Sequence, residues 1–200
     1  MRSATNIGEA GERIRRVYKY LRIMEEHSSG KQAGLAPERT RLIGISARAH
    51  SFGFVVIEGK TTLDCGVRTC YRSQFDNCLA DRFERILGEY DPSAVMILSA
   101  RSTAAKHRTG LTRNAIRNSA RRSKVPTVLV PLRVLNRYFR QYGAATKHEI
   151  ATAVTQIMPE LAWHLPAKRK PWENEHYSMA IFDAAAAVIA YAWPRLIEQG

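Results

Sequence analysis

Two short apolar runs near residue 41 constrain the fold more than any other feature of the chain. The stretch RLIGISARAHSFGFVVIEG, residues 41–59, has one apolar run ending at Ile45 and a second beginning at Phe52. A tight polar turn separates them, which is the pattern of paired strands. A third run, TTLDCGVRTC, follows after only Gly59 and Lys60. The three runs therefore predict an antiparallel meander.

The rest of the chain alternates between helical and strand patterns. Apolar residues recur on one face from about Phe75 to Tyr90, which predicts a helix, and SAVMILSA predicts a central strand. LTRNAIRNSARRSK predicts a basic helix, VPTVLVPL a fifth strand, and TKHEIATAVTQIMPEL another helix. The last helix is expected to begin near Glu173. The order βββαβαβαα predicts an α/β fold with a mixed five-stranded sheet, a meander followed by parallel strands, flanked by helices.

Composition places the chain among soluble globular proteins. It has 200 residues, 45% hydrophobic and 24% charged, which suits one domain with a real core. Its most apolar run, MAIFDAAAAVIAYAW, contains Asp183 and is shorter than the roughly 20 residues that span a bilayer, so we expect no membrane partner. No apolar core of a signal peptide is visible, and we expect a cytoplasmic protein.

Two further sequence features bear on organisation. Residues 1–40 predict an N-terminal extension made of a basic amphipathic helix and a Gly-, Ser- and Pro-containing linker, so the main domain is expected over 41–200. Cys65, Cys70 and Cys78 have neither CxxC spacing nor an even count, which predicts reduced thiols rather than a zinc site or disulfides.

The positive charge is concentrated in one part of the chain. The formal net charge is +13, and residues 101–148 contain no Asp or Glu. Such a segment would neutralise phosphates and release their counterions, so nucleic acid is the favoured partner, DNA over RNA. A solvated basic face and a polyanionic membrane surface are the alternatives. The basic residues of the segment are Arg101, Lys106, Arg108, Arg113, Arg117, Arg121, Arg122, Lys124, Arg133, Arg137, Arg140 and Lys147.

A basic loop precedes the last helix. Lys168, Arg169 and Lys170 stand beside Trp172, a combination that suits a phosphate backbone with a stacked base or sugar. The alternative is that the tryptophans cover the core, and we expect this of Trp163 and a surface position for Trp172.

Three segments resemble the RNase H-like superfamily and, within it, the RuvC-type Holliday-junction resolvases. LIGISARAHSFGFVVIEG resembles the family's opening strand, turn and second strand, and ATKHEIATAV its lysine-led helix. SMAIFDAAAAVIAYA resembles the closing helix, in which an acidic residue precedes an alanine-rich run. The resemblance covers residues 41–195 and implies an RNase H-like sheet, magnesium-dependent cleavage of a phosphodiester, and a phosphate contact for Lys147. It admits a homodimer.

The acids that this resemblance implies are mostly missing. Two magnesium ions about 4 Å apart need several convergent carboxylates. The position on the first strand falls on Ser46, the position on the fourth strand falls within residues 98–100 around Ser99, and only Asp183 on the last helix is acidic. Ala180 stands where a partner acid would lie one turn earlier. If Asp183 is the earlier acid, the later one falls on Ala186.

The remaining acid permits two interpretations. Asp183 either pairs with a basic residue, which is the favoured case, or binds a single weak metal ion, because an unpaired buried carboxylate costs several kcal/mol. Ser46 is expected to bond to neighbouring backbone, since no nucleophile motif surrounds it. A rebuilt metal site would have to draw on displaced groups, namely Glu58, Asp64, His107 and His176.

Three functions are consistent with these features. The favoured prediction is a RuvC-like nucleic-acid-binding domain that needs no cofactor because it has lost its metal site. The second is an active magnesium-dependent, structure-specific endonuclease that uses Asp183 with displaced acids. The third is a structural pseudo-enzyme that binds a protein partner through residues 1–40.

Overall fold

A mixed five-stranded sheet forms the centre of the fold. The computed structural model describes residues 41–70, 75–99 and 106–192, with the backbone alone for residues 75–77, 106 and 107. Strands β1 (Arg41–Ala47), β2 (Ser51–Glu58) and β3 (Thr61–Thr69) are antiparallel neighbours. Strands β4 (Ala94–Ser99) and β5 (Thr127–Pro131) continue the sheet parallel to β1, in the order β3-β2-β1-β4-β5. The predicted fold class is confirmed.

Two helices cover one face of the sheet. Helix α1 (Phe75–Tyr90) has the predicted bounds, and helix α2 (Lys106–Arg122) packs against it. Alternate residues of the strands point towards these helices, among them Ile45 and Ile97, which are fully buried. Leu79, Phe83 and Ile116 supply the helical side of this core.

The opposite face is covered by helix α5 (Met179–Tyr191). This helix contacts β1, β2 and β4, and it is flanked by α3 (Leu132–Arg140) and α4 (Lys147–Ile157). A short 3-10 helix, Pro159–His164, follows α4. Helix α5 is rich in apolar residues, yet no helix among the described residues is long and apolar enough to cross a membrane.

The helix predictions were wrong in two places. Helix α3 was not predicted, because its three arginines obscure an apolar pair, Leu135 and Phe139, that are one turn apart and buried. Helix α5 begins at Met179 rather than near Glu173, because residues 171–178 form turns and irregular backbone, in which the Glu173 and Met179 N–H groups bond to carbonyls only three residues earlier.

The cysteine prediction was also wrong for two of the three residues. Cys70 at the end of β3 and Cys78 in the first turns of α1 form a disulfide with a Cα–Cα distance of 6.1 Å. Only Cys65 is free, and partial burial raises the pKa of its thiol. An odd number of cysteines excludes full pairing, but it does not exclude one bridge between adjacent elements.

Several predictions concern parts of the chain outside the described residues. These are the helix and linker of residues 1–40 with the proposed domain boundary, the side chain of Arg101, and the side chains of Lys106 and His107.

Candidate functional site

Two glycines bring helix α5 onto the sheet. A Cβ at Gly53 of β2 would overlap the backbone carbonyl of Ala180, and a Cβ at Gly44 of β1 would overlap the Ala184 carbonyl and the Val188 side chain. Only glycine permits so close an approach of two backbones. The small-residue run predicted to lie near the sheet therefore does so, and it carries Asp183 to the end of β1.

Asp183 is paired with two basic side chains. Its Oδ2 accepts hydrogen bonds from Arg48 Nη2 at 2.8 Å and from Lys147 Nζ at 3.3 Å. Arg48 lies in the turn after β1, and Lys147 is the first residue of α4. The structure thus brings Asp183 together with basic partners, as the favoured interpretation of this residue predicted.

A second carboxylate completes the group. Glu175 Oε1 accepts from Arg48 Nη2 at 2.6 Å, and both Glu175 oxygens accept from Lys147 Nζ at 3.0 Å. We call these four residues, Arg48, Lys147, Glu175 and Asp183, the charge cluster. Sequence reasoning assigned no role to Arg48 or Glu175, because both lie in irregular segments where no periodicity indicates which residues meet.

The two carboxylates of the cluster differ electrostatically. Burial raises the pKa of Asp183, and the nearby Lys147 and Arg48 only partly oppose this. Partial burial would also raise the pKa of Glu175, but hydrogen bonds and attraction from Arg48 and Lys147 outweigh it and hold that pKa below its usual value. Glu175 is therefore ionised at neutral pH.

The side chains around Asp183 that could act as metal ligands do not fit a two-magnesium centre. Ser46 is 4% exposed, and its hydroxyl makes no hydrogen bond to a described residue, so the predicted bond to neighbouring backbone is not seen there. Ala180 contributes only a methyl group. Among the described residues, no group of three or more His, Cys, Asp or Glu side chains is placed to hold a metal ion. Two carboxylates that each contact two cations cannot offer the concentrated negative charge that magnesium requires.

Strand alternation identifies which residue of β4 faces the site. Ile45 of β1 is in register with Ile97 of β4, and both point away from α5 into the other core. The next residues, Ser46 and Leu98, therefore face α5 side by side. Ser99, the position proposed for the missing acid of β4, has the opposite parity.

The two displaced acids considered for a rebuilt site, Glu58 and Asp64, lie elsewhere. Glu58 forms an ion pair with Arg41 at 2.9 Å. Arg41 begins the seven-residue strand β1 and Arg48 follows its other end, so this ion pair lies roughly 20 Å from Arg48. Asp64 accepts from the Cys65 backbone N–H at 2.7 Å and from the Tyr90 hydroxyl at 3.2 Å, near that same end. His176 Nδ1 lies 2.7 Å from Ser178 Oγ.

Further basic side chains surround the charge cluster. Arg108 at the start of α2 lies 3.1 Å from His50 Nε2, in the turn that also holds Arg48. The Lys168–Lys170 loop is near the start of α4, because Pro166 O lies 3.2 Å from His148 Nε2. With Arg48 and Lys147 of the charge cluster, this edge of the sheet therefore carries positive charge from four separate segments.

The loop before α5 is held in shape by its own hydrogen bonds. Arg169 Nη1 donates to the Glu173 carbonyl at 2.7 Å, and the Lys170 backbone N–H donates to Glu173 Oε2 at 2.8 Å. Trp172 is 79% exposed, as predicted, with Lys170 Nζ at 5.8 Å from its ring centroid. Trp163 is 94% exposed on the 3-10 helix, so its predicted core position is wrong.

The basic run that the sequence presents as continuous is divided by the sheet. Helix α2 lies on the face covered by α1, whereas α3 contacts α5 on the other face. Along α2, Arg113, Arg117 and Arg121 form no ion pair with a described residue, and Arg122 pairs with Glu84. The twelve basic residues are thus not one patch.

Comparison with known structures identifies the fold. RuvC from Thermus thermophilus in complex with a Holliday junction substrate is 17% identical with a TM-score of 0.61, covering 79% of this chain and 96% of that chain. Another structure of Thermus thermophilus RuvC is 19% identical with a TM-score of 0.61, covering 80% and 97%.

A more distant structure agrees with these two. The yeast mitochondrial Holliday junction resolvase Ydc2 is 10% identical with a TM-score of 0.59, covering 80% of this chain and 81% of that chain. A scan of protein-family models finds no match, and neither does a search of curated proteins. At these identities the likeness shows the fold, which is that of the RuvC-type RNase H-like proteins.

Proposed function

We propose that this chain, which has the RuvC-type RNase H-like fold, binds the phosphate backbone of DNA and does not cleave it. The observation that carries the proposal is the charge cluster: two basic side chains contact Asp183 where metal-dependent cleavage would need several carboxylates to converge. A site with two cations and two carboxylates is suited to holding phosphate oxygens by exchange of ion pairs.

Binding is supported by the distribution of charge. Arg48, Arg108, Lys147 and the Lys168–Lys170 loop lie around the same end of the sheet. Together with the chain's net charge of +13, they supply the sequence-independent attraction that dominates non-specific DNA binding. The structured DNA in the complex of the Thermus thermophilus RuvC neighbour makes a branched substrate the natural first probe for this chain.

The test compares binding and cleavage on the same DNA. Labelled duplex and four-way branched DNA are titrated with the full chain at several salt concentrations, and affinity should fall steeply as salt rises. Incubation of the same complexes with Mg²⁺ or Mn²⁺ should give no cleavage product.

Each contrary outcome selects one alternative. Metal-dependent cleavage that Asp183→Asn abolishes would establish the active endonuclease in place of the present proposal. Failure of the full chain to retard any nucleic acid at low salt would contradict DNA binding, and it would leave the protein-partner function of residues 1–40 to be tested by deletion and pull-down.

A further inference from the structure

We infer that Arg48 and Lys147 form a binding site for one phosphodiester group, and that the Glu175 carboxylate occupies this site until a nucleic acid displaces it. The inference rests on the proposed function and assigns a role to two residues, Arg48 and Glu175, for which the family resemblance implies none. It makes Glu175 an internal competitor of the DNA backbone.

The two anions of the charge cluster differ in how firmly they are held. Asp183 lies on α5 between buried neighbours, and its side chain is 15% exposed. Glu175 lies in the irregular segment before α5, and its side chain is 28% exposed. Moving Asp183 would require moving a core helix, whereas moving Glu175 requires only a rearrangement of the loop. Asp183 is thus the fixed partner and Glu175 the exchangeable one.

Glu175 binds the two cations in the way that a phosphodiester would. One of its oxygens lies between Arg48 Nη2 and Lys147 Nζ, and the other contacts Lys147 Nζ alone. A phosphodiester likewise carries one negative charge shared by two terminal oxygens, and Arg and Lys are the side chains that bind such groups. Exchange of one anion for the other preserves the contacts.

The charge balance favours an incoming anion once Glu175 leaves. Arg48 and Lys147 carry two positive charges, and Asp183 neutralises one of them, so a single positive charge would remain. Both cations are accessible, with side chains 33% and 51% exposed. Lys147 also stands at the first position of α4, where the helix dipole disfavours a cation and favours an anion nearby.

The experiment removes the competitor and measures affinity. Glu175→Gln keeps the size of the side chain but loses its charge, and it should bind a labelled 30-base-pair duplex at low salt roughly 2- to 5-fold more tightly than wild type. Glu160→Gln is the matched control, because it makes the same charge change on an exposed residue of the 3-10 helix outside the cluster. It should improve affinity less than Glu175→Gln does, since Glu160 contacts neither Arg48 nor Lys147.

A double-mutant cycle tests the mechanism of any gain. In an Arg48→Gln background the Glu175→Gln change should no longer improve binding, because the site that Glu175 blocks has lost its guanidinium. Thermal melts of every variant check folding. If Glu175→Gln and Glu175→Ala both lose cooperative melting, Glu175 holds the loop for structural reasons and the inference is overturned.

The outcomes separate this inference from the proposed function. Wild-type binding with equal affinities for Glu175→Gln and Glu160→Gln would overturn the inference and leave the proposed function standing. If Glu175→Gln binds the duplex and wild type does not, Glu175 blocks the site completely, which would support the inference in its strongest form. No binding by wild type or by Glu175→Gln would overturn both.

Discussion

At the scale of single residues, the position of the site depends on two glycines, which have no side chain. Gly44 and Gly53 leave room for the backbone of α5, and this contact sets the depth at which Asp183 sits relative to β1. Asp183 follows Ala180 by less than one helical turn, so a change in the position of one moves the other. The glycines are therefore positioning residues for the charge cluster.

The first prediction replaces one of these glycines. Gly53→Ala should destabilise the domain by about 2–4 kcal/mol, because the new Cβ overlaps the Ala180 backbone and α5 must shift. The measurement is equilibrium unfolding in urea. The matched control is Gly88→Ala on α1, where a Cβ meets nothing within 4 Å and alanine should add about 0.5–1 kcal/mol. Equal stability of Gly53→Ala and wild type would contradict the tight packing of α5.

The periodicity of apolar residues determined which parts of the fold and of the site could be predicted from the sequence. Apolar runs such as those ending at Ile45 and beginning at Phe52 identified the strands, because burial on both faces leaves a continuous signal. Asp183 was found through the alanine-rich run after it. Arg48 and Glu175 were missed, because contacts between irregular segments depend on tertiary packing and leave no periodic trace in the sequence.

At the scale of elements, the disulfide links the third strand to the first helix. It closes a loop between Cys70, which is 2% exposed, and Cys78, eight residues later. A link over so short a loop restricts the unfolded chain modestly, by about 2–3 kcal/mol in the chain-entropy account.

The second prediction concerns this link. Thiol titration of the denatured, oxidised protein should find one reactive cysteine, Cys65, and Cys78→Ser should lower the free energy of unfolding by about 2–3 kcal/mol. Cys65→Ser is the control and should leave it nearly unchanged, since Cys65 forms no bridge. Three titratable thiols in protein purified without reductant would restore the interpretation drawn from the sequence.

The two basic helices, α2 and α3, differ in whether helix stability accounts for their arginines. On α3, Arg137 and Arg140 lie in the last turn, where they are stabilised by the helix dipole. On α2, Arg113 and Arg117 lie in the middle of a helix with no acid in its first turn, and like charges one turn apart are unfavourable. The helix dipole therefore explains Arg137 and Arg140 of α3 but not Arg113 and Arg117 of α2.

The third prediction follows from this difference. Replacing Arg113, Arg117 and Arg121 by Gln should weaken DNA binding and reduce the slope of log affinity against log salt by about 2–3. The matched variant replaces Arg133, Arg137 and Arg140 and makes the same change in net charge on the other side of the sheet. It should reduce the slope less. Equal slopes for both variants would show that net charge alone governs binding.

At the scale of the whole molecule, the described residues build a core on both faces of the sheet. The fully buried large side chains include Phe52, Phe83, Phe139 and Phe182, which come from the sheet and from helices on both of its faces. The fourth prediction is that deletion of residues 1–38 leaves a cooperatively melting domain, because the strands and helices that supply these side chains all begin at or after Arg41. Circular dichroism melts would test this, and loss of soluble expression would contradict it.

Under the proposed function, a gain of metal chemistry would require changes in four segments together. An acid is absent from β1 and from β4, Arg48 from the turn after β1 contacts Asp183, and Lys147 from α4 does so as well. Restoring a single carboxylate should therefore not create a metal site. The alternation of side chains along β1 and β4 decides which combination of new carboxylates could bind a metal ion, because Ser46 and Leu98 face α5 whereas Ser99 does not.

The last prediction compares two triple variants that differ only on β4. Ser46→Asp, Leu98→Glu and Arg48→Ala together place three carboxylates on the side of the sheet that Asp183 faces, so Mn²⁺ at ten to thirty times its Kd should raise the free energy of unfolding by about 1–2 kcal/mol. The control carries Ser99→Glu in place of Leu98→Glu and should gain much less, because its glutamate points to the other face. Calorimetric titration with Mn²⁺ and thermal melts measure the difference. If the Ser99 variant binds Mn²⁺ as tightly as the Leu98 variant, the orientation assigned to β4 is wrong.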